Sequence, residues 1–375
     1  MRSWQDILKG SNEEIIRWAA ESAWADAMRA CQQDAIWHAE GDVWTHTLMV
    51  CAEVEKLEGY EELNREDQLK LLFTALLHDS GKPATTALDP ETGRLRSLRH
   101  SIVGASLARG VLAELRCPLE LREEIVRLVR YHGRPPYLLE KAHPEQEVIR
   151  LSCLVKNRLL HLFALADTRG RDADGTVRTE EMLNLWRDVA VEHGCYDGPY
   201  PFANAQARFL YFREAVGDLH HVPHEHYKCR VIMMSGLPGV GKDTWLARNR
   251  PELPVVSLDA VREDLNVDAT DNQGRVIQEA RERCRQHLRA GEDFAFNATN
   301  LTVSLRKRWV DLFAGYGAWI EIVYLEDDLR VVLKRNAGRK DPVPASVIEK
   351  LAGKVEVPDV SEGHGVTRCA GDTRL

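Results

Sequence analysis

No stretch of this sequence is apolar for long enough to span a bilayer, which takes about 20 consecutive apolar residues. The opening MRSWQDILKGSNEE places polar residues where a signal peptide needs its apolar core. Both absences predict a chain that stays off the membrane, in the cytoplasm. Cysteine is sparse and scattered. None of the eight cysteines forms a CxxC pair, so neither a zinc knuckle nor a disulfide framework is expected, and a reducing compartment suits them. Excess positive charge is missing too. The formal net charge is −8, and residues 228–375 hold 23 basic against 22 acidic residues while the remainder holds 27 against 36. Broad, nonspecific binding of duplex nucleic acid gains no support from such a balance, although a few arginines suffice to hold a single strand end. There is no GxSxG elbow and no cysteine with a catalytic partner, which speaks against acyl transfer. Internal repeats and low-complexity tracts are absent.

What is present is enough for two globular domains: 375 residues, 44% hydrophobic and 29% charged. The first half reads as helices. Val43, Val50, Val54 and Leu57 recur at helical spacing, as do Leu69, Leu72, Phe73, Leu76 and Leu77, and further helical stretches cover roughly 101–115, 119–131, 145–166 and 179–193. The second half alternates β-like runs (230–235, 255–258, 294–297, 319–325) with helical ones, the pattern of a parallel α/β sheet. The fold class expected is therefore an all-α domain over 1–217, a polar linker over 218–227 and an α/β domain over 228–375. The linker's His220, His221, His224 and His226 read as a solvated tract.

In the second domain Gly236, Gly239 and Gly241 follow a β-like run and lead into Lys242, Asp243, Thr244 and a helix. This is the setting of a phosphate-binding loop, whose glycines let backbone N–H groups turn onto phosphate oxygens while the lysine reaches the β and γ phosphates. ATP or another NTP with Mg²⁺ is the expected cofactor. Asp243 stands where such loops usually carry the Ser or Thr that meets the metal ion. The next β-like run leads to Asp259, a carboxylate suited to accepting the proton of an attacking hydroxyl or, alternatively, to capping a helix. Arg262 lies one turn on and is suited to holding a substrate phosphate. Asn297, Thr299 and Asn300 close the third run, where polar residues line the crevice of an open α/β sheet. Arg335 and Arg339, an i, i+4 pair before Pro342, predict a lid over the polyphosphate. The pattern GxPGxGKxT, DxxR, ATN and RNxxR…VP resembles the 5′-hydroxyl polynucleotide kinase family over about 228–375. The resemblance implies Asp259 as general base, Arg262 on the substrate phosphate, and Arg335 and Arg339 on the ATP phosphates. Two positions depart from it: Asp243 replaces Ser, and Asn297 stands where an aspartate would hold the substrate arginine.

In the first domain His78 and Asp79 close an apolar helical run and Lys82 follows one turn later. His46 lies upstream and Asp167 downstream, each on its own helix. His46, His78, Asp79 and Asp167 make a mixed N/O site open to water and phosphate, suited to Mn, Fe, Co, Ni or Zn. His100 and His132 fall between as ligands of a second ion or of the scissile phosphate. His38 and Glu40 are placed to contact substrate or to cap the first motif helix, and Arg169 and Arg171 to contact phosphate. Asp172 and Asp174 look like a fragment of a calcium loop and read as a turn. The order H…HD…D resembles the HD phosphohydrolase superfamily over about 36–195, and its HDxGKP form looks like the HD modules attached to tRNA nucleotidyltransferases. The resemblance implies Asp79 and Lys82 as catalytic groups.

Fused in this order, the two halves resemble bacterial HD-domain/polynucleotide-kinase proteins that heal RNA ends. That implies a kinase acting on a 5′-OH and an HD module clearing 2′,3′-cyclic, 2′- or 3′-phosphates, with RNA (or DNA) ends as partners and a separate ligase to seal them. Two rival functions are a nucleotide phosphohydrolase fused to a metabolite kinase, and an HD hydrolase switched by a P-loop NTPase. Asp259 with Arg262 argues against a pure switch, which needs no acceptor base.

Overall fold

The computed structural model describes residues 3–34, 39–171, 176–214, 218–219, 221–268, 271–339 and 341–371. The chain divides into two compact units, Met1–Pro201 and Phe202–Leu375. His38, Asp172, Asp174 and His220 lie outside the described residues.

The first unit is built around one helix, Arg65–Leu77, in which Leu69, Leu71, Leu72, Phe73, Ala75, Leu76 and Leu77 are all at most 1% exposed. Asp67, Lys70 and Thr74 on its remaining face are buried as well, so the helix is surrounded. The helices Val43–Lys56, Leu119–Tyr131 and Asn157–Arg169 pack against it. Side-chain caps fix where the chain enters these helices: Asp42 accepts from the Trp44 and Thr45 N–H groups, and Asn64 accepts from Asp67. The continuous helical stretch expected at 145–166 is two helices, Pro144–Ser152 and Asn157–Arg169. The break is stabilised by Asn157, whose buried amide donates to the carbonyls of Val148 and Cys195. Two short antiparallel strands, β1 (Thr86–Leu88) and β2 (Leu95–Ser97), form a hairpin that the helical pattern did not reveal. It is too short for a period-2 signal. Its turn is held by Asp89, which accepts from the Glu91 and Thr92 N–H groups.

The second unit is a five-stranded, all-parallel sheet. Its strands are β3 (Cys229–Ser235), β4 (Val255–Ser257), β5 (Phe294–Asn297), β6 (Ala318–Glu326) and β7 (Gly365–Ala370), in the order β4-β5-β3-β6-β7. Parallel sheets are covered on both faces, and two apolar clusters do so here. One contains Met233, Phe294, Phe296, Trp309 and Phe313, the other Ile232, Met234, Val323, Leu325 and Val332. After β3 the chain places the edge strand β4 and then β5 on one side, and β6 and β7 on the other, so the direction switches at β3, where open α/β sheets bind ligands. β7 is an edge strand with every residue half-buried, which is why its sequence carried no clear strand signal. The helix Ala205–Phe212, inside the span that the sequence assigned to the first domain, packs within this unit. Phe209 stacks on His364 with ring centroids 4.0 Å apart, and His364 Nε2 lies 2.6 Å from Gln206 Oε1. Among the described residues no helix is long and apolar enough to cross a membrane.

Candidate active sites

In the first unit the helix Arg65–Leu77 ends at its C-cap, His78, and a helix end leaves carbonyls unpaired. The His78 ring meets one of them, with Nδ1 2.9 Å from the Ala75 oxygen. His132 caps the helix Leu119–Tyr131 in the same way, with Nδ1 2.8 Å from Val129 O. His100, the first residue of the helix His100–Glu114, places Nδ1 2.8 Å from Ser97 O. His46 reaches across to the end of another helix, with Nδ1 3.2 Å from Gly170 O and 3.0 Å from a Glu40 carboxylate oxygen. A carbonyl oxygen only accepts, so each Nδ1 carries a proton, which leaves Nε2 as the ring atom available to a metal ion. All four Nε2 atoms face inward: His46 and His78 are 3.3 Å apart, as are His100 and His132.

Two carboxylates complete the cluster. Asp167 Oδ1 lies 3.1 Å from His46 Nε2 and 3.8 Å from His78 Nε2. Asp79 spans both halves, with Oδ2 3.1 Å from His78 Nε2 and Oδ1 3.4 Å from His100 Nε2. Among the described residues, His46, His78 and Asp167 form one group able to hold a metal ion, and Asp79, His100 and His132 form a second beside it. Lys82 Nζ sits 2.7 Å from Asp79 Oδ2 and 2.5 Å from Gln33 Oε1. Burial opposes the charged carboxylates. Even so Asp79 is held well below the usual carboxylate range by His78, Lys82 and His100, and Asp167 by Arg171, His46 and His78. Burial also opposes a charged His46, but Asp167, Glu40 and Asp79 override it and raise its pKa, whereas burial with His78 and His100 nearby pulls His132 down to about 3. Two ionised carboxylates in a buried pocket require cationic compensation, and four oriented imidazoles turn their Nε2 atoms towards the same space. That donor set fits a divalent transition metal.

The sequence placed His46, His78, Asp79, Lys82, His100, His132 and Asp167 in this site, and the fold brings all seven together. It did not foresee Gln33 on Lys82 or the carbonyl of Gly170 behind His46, since neither belongs to a spacing pattern. Arg171, expected on phosphate, donates to Asp167 Oδ2 at 2.5 Å. Arg169 instead forms a two-point pair with Glu180 on the surface, both contacts at 2.9 Å.

In the second unit the loop after β3 holds Gly236, Gly239 and Gly241 at φ of +145°, +79° and +102°, a region closed to most side chains. At Gly236 a β-carbon would also lie 2.6 Å from Leu325 O on the neighbouring strand. Lys242 opens the helix Lys242–Asn249 and folds over the loop, donating to Gly236 O and Leu237 O at 3.0 Å each. Burial lowers its pKa to about 8. Asp243 and Thr244 follow, both exposed. The two departures from the kinase pattern meet in space: Asn297 Nδ2 donates to Asp243 Oδ1 at 2.6 Å.

Asp259 sits on the first turn of the helix Leu258–Leu265 and is exposed. Ser257 is the N-cap, so the alternative of Asp259 as the cap falls away. Arg262 donates to Asp259 and Arg339 Nη2 lies 3.8 Å from its other oxygen. Arg335 and Arg339 do not act as an i, i+4 pair. The helix Leu329–Ala337 ends at Gly338, which turns Arg339 towards Asp259 and leaves Arg335 with Asp327 at 2.8 Å. Thr299 contributes its carbonyl, which accepts from the Gly236 N–H. Asn300 is buried with φ +45° and donates to Met234 O. These two residues brace the loop from behind. Arg306, which no motif marked, is wholly buried, pairs with Glu362 at 2.7 and 2.8 Å and donates to Asn300 O.

The HD domain family matches residues 43–168 and the AAA domain family matches residues 231–358. The CC-adding tRNA nucleotidyltransferase of Thermus thermophilus is 40% identical over 126 residues, 33% of this chain and 28% of that protein. The multifunctional CCA protein of Alkalilimnicola ehrlichii is 33% identical over 192 residues, 51% of this chain and 38% of that protein. The chain thus spans about a third of the length of the curated relatives it matches. Among solved structures, a sugar kinase from Janibacter and a gluconokinase from Sinorhizobium meliloti are 19% and 16% identical. They cover 38% and 39% of this chain and 85% and 84% of their own, with TM-scores of 0.30 and 0.28. The chain joins a helical unit that matches the HD domain family to a parallel α/β unit that matches the AAA domain family.

Proposed function

We propose that this chain is an RNA end-healing enzyme, in which the P-loop unit phosphorylates a 5′-OH end and the HD unit hydrolyses 2′,3′-cyclic, 2′- or 3′-phosphate ends. The observation that carries the first half is the pairing of Asp259 with Arg262 and Arg339, close enough to Lys242 of the phosphate loop for Asp259 and Arg339 to act on its charge. Lys242 and the loop N–H groups hold the β and γ phosphates of ATP. Asp259 is exposed and takes the proton of the acceptor hydroxyl. Arg262 holds the phosphate next to that hydroxyl, and Arg339 offsets charge as the phosphoryl group moves. A nucleoside triphosphatase that acts only as a switch needs neither an acceptor base nor an acceptor arginine.

For the HD unit, the support is the four Nε2 atoms converging on Asp79 and Asp167. His46, His78, Asp79 and Asp167 hold a divalent ion, which supplies a Lewis acid and a nucleophile at neutral pH. His100 and His132 bind a second ion or the scissile phosphate, and Lys82 offsets charge next to Asp79. RNA as substrate is supported by the relatives, whose names are those of enzymes acting on tRNA. Ends prepared in this way suit a separate ligase.

An RNA oligonucleotide bearing a 5′-OH and a 2′,3′-cyclic phosphate, incubated with ATP, Mg²⁺ and Mn²⁺ and weighed at both ends, tests this function. Wild type converts both ends, Asp79→Ala loses only the 3′ conversion together with bound metal, and Asp259→Ala loses only the 5′ conversion. Consumption of mononucleotides or ATP with both ends intact would make the protein a small-molecule or regulatory enzyme.

A further inference from the structure

The side chain that would hold Arg262 from the strand end does not do so here. The Asn297 amide of β5 donates its nitrogen to Asp243, and its buried oxygen accepts from no group among the described residues. Arg262 instead donates Nη1 to Asp259 and Nε to Gln273 Oε1 at 2.9 Å. Gln273 is itself fixed from behind, because its Nε2 donates to the carbonyls of Asp268 and Asp271 at 2.8 and 2.9 Å. With the amide nitrogen committed to two acceptors, only the oxygen can face the arginine. Gln273 is also the N-cap of the helix Gly274–Ala290, yet makes no side-chain cap bond. That position favours Ser, Thr, Asp or Asn, whose short side chains turn back onto the helix N–H groups. The longer glutamine reaches away from the helix to Arg262.

We propose that Gln273 is the positioning residue for Arg262, and that its neutrality sets the preference for an acceptor with a phosphate beside the hydroxyl. This rests on the reading of Arg262 as the acceptor-phosphate contact. An amide oxygen accepts from a guanidinium N–H, more weakly than a carboxylate but without cancelling its charge. Asp259, Arg262 and Arg339 together carry one net positive charge. A glutamate at 273 would bring that to zero and compete with the incoming phosphate. With glutamine, Arg262 keeps Nη2 and the second Nη1 proton for two parallel bonds to phosphate oxygens.

The test uses the full-length protein with Gln273→Glu and the neutral Gln273→Met. Two 5′-OH oligonucleotides serve as acceptors, one with an ordinary first phosphodiester and one with an uncharged methylphosphonate there. Gln273→Glu is expected to raise the KM of the ordinary acceptor about tenfold, the scale of one lost charge-assisted contact. Its kcat and its KM for ATP should move less than about twofold, and the methylphosphonate acceptor should feel little of the change. Gln273→Met, which loses orientation but keeps the charge, should fall between wild type and Gln273→Glu. Equal losses on both acceptors, a matching rise in the KM for ATP, or equal effects of the two variants would overturn the proposal, since a merely structural role predicts them. A wild type that phosphorylates neither acceptor overturns the kinase reading and this inference with it, whereas an active wild type with unaffected variants overturns this inference alone.

Discussion

Gly81 lies between the His78-Asp79 turn and the helix that carries His100. A β-carbon there would sit 2.1 Å from His100 O and 2.6 Å from Gly104 N, both backbone atoms. The Gly81 φ of −84° suits any residue, so the effect of Gly81→Ala is steric alone. Cβ contacts shorter than 3.0 Å essentially never occur, so His100 O must retreat by at least 0.9 Å, the difference between 3.0 and 2.1 Å. Overpacking of this kind costs about 1–3 kcal/mol. The reduced freedom of the unfolded chain returns about 0.4–1 kcal/mol. At the centre of those ranges the net loss is about 1.3 kcal/mol, or a fall of about 3–5 °C in the melting temperature of a unit this size. The functional loss should be larger, because His100 Nε2 would leave its 3.3 Å approach to His132 and its 3.4 Å approach to Asp79, and a displacement of about 1 Å at a reacting centre costs about 100-fold. Thermal unfolding, metal content by mass spectrometry and phosphohydrolase rate measured on one preparation decide it. A Gly81→Ala protein with wild-type melting, metal content and rate would refute the claim that this contact sets the position of His100.

Three further perturbations separate the roles of buried groups in the second unit. Arg306→Met leaves Glu362 buried without its partner and should cost about 3–5 kcal/mol; in thermal melts the double variant with Glu362→Met should recover part of that loss. Burial lowers the pKa of His364 from 6.5 to about 4. The native ring is therefore neutral while the unfolded one binds a proton below 6.5. Its contribution is complete above pH 6.5 and is lost as pH falls towards 4, at up to about 1.4 kcal/mol per pH unit, so the stability of His364→Phe should depend less steeply on pH in that window. Asn297→Asp sets two carboxylates against each other beside the phosphate loop and should raise the KM for ATP about tenfold. Adding Asp243→Ser should reverse that rise, and a double variant no better than the single one would show that the pair does not couple.

The parts of the molecule legible in the sequence are those written in local spacing. The helix around Leu69–Leu77, the runs that become β3, β5 and β6, the glycine loop and the H…HD…D order all follow from periodicity or from motifs of a few residues. The helical character of the first unit and the parallel α/β character of the second were readable on those grounds, though the hairpin of the first was not. What escaped depends on contacts between distant residues or on backbone atoms. Gly170 O behind His46 bridges 124 positions and has no side chain to mark it. Arg306 and Glu362 look like ordinary surface charges until the fold buries both. The Arg335–Arg339 pairing failed because helical spacing was extended past Gly338, where the helix stops. The hairpin and β7 are too short or too evenly half-buried to alternate.

The backing of the HD-site rings by main-chain oxygens bears on how this site tolerates sequence drift. Three of the four imidazoles take their orientation from a carbonyl three positions earlier in their own chain segment: Ala75, Ser97 and Val129. No substitution deletes a carbonyl, so those rings keep their tautomer whatever side chain their supporting residue acquires. His46 alone depends on a remote element, and there a β-carbon on Gly170 would come within 2.8–2.9 Å of Val50. Fragility at this candidate metal centre therefore lies in close backbone approaches, and variation that silences the HD unit without touching a ligand should accumulate at Gly81, behind His100, and around Val50 and Gly170, behind His46.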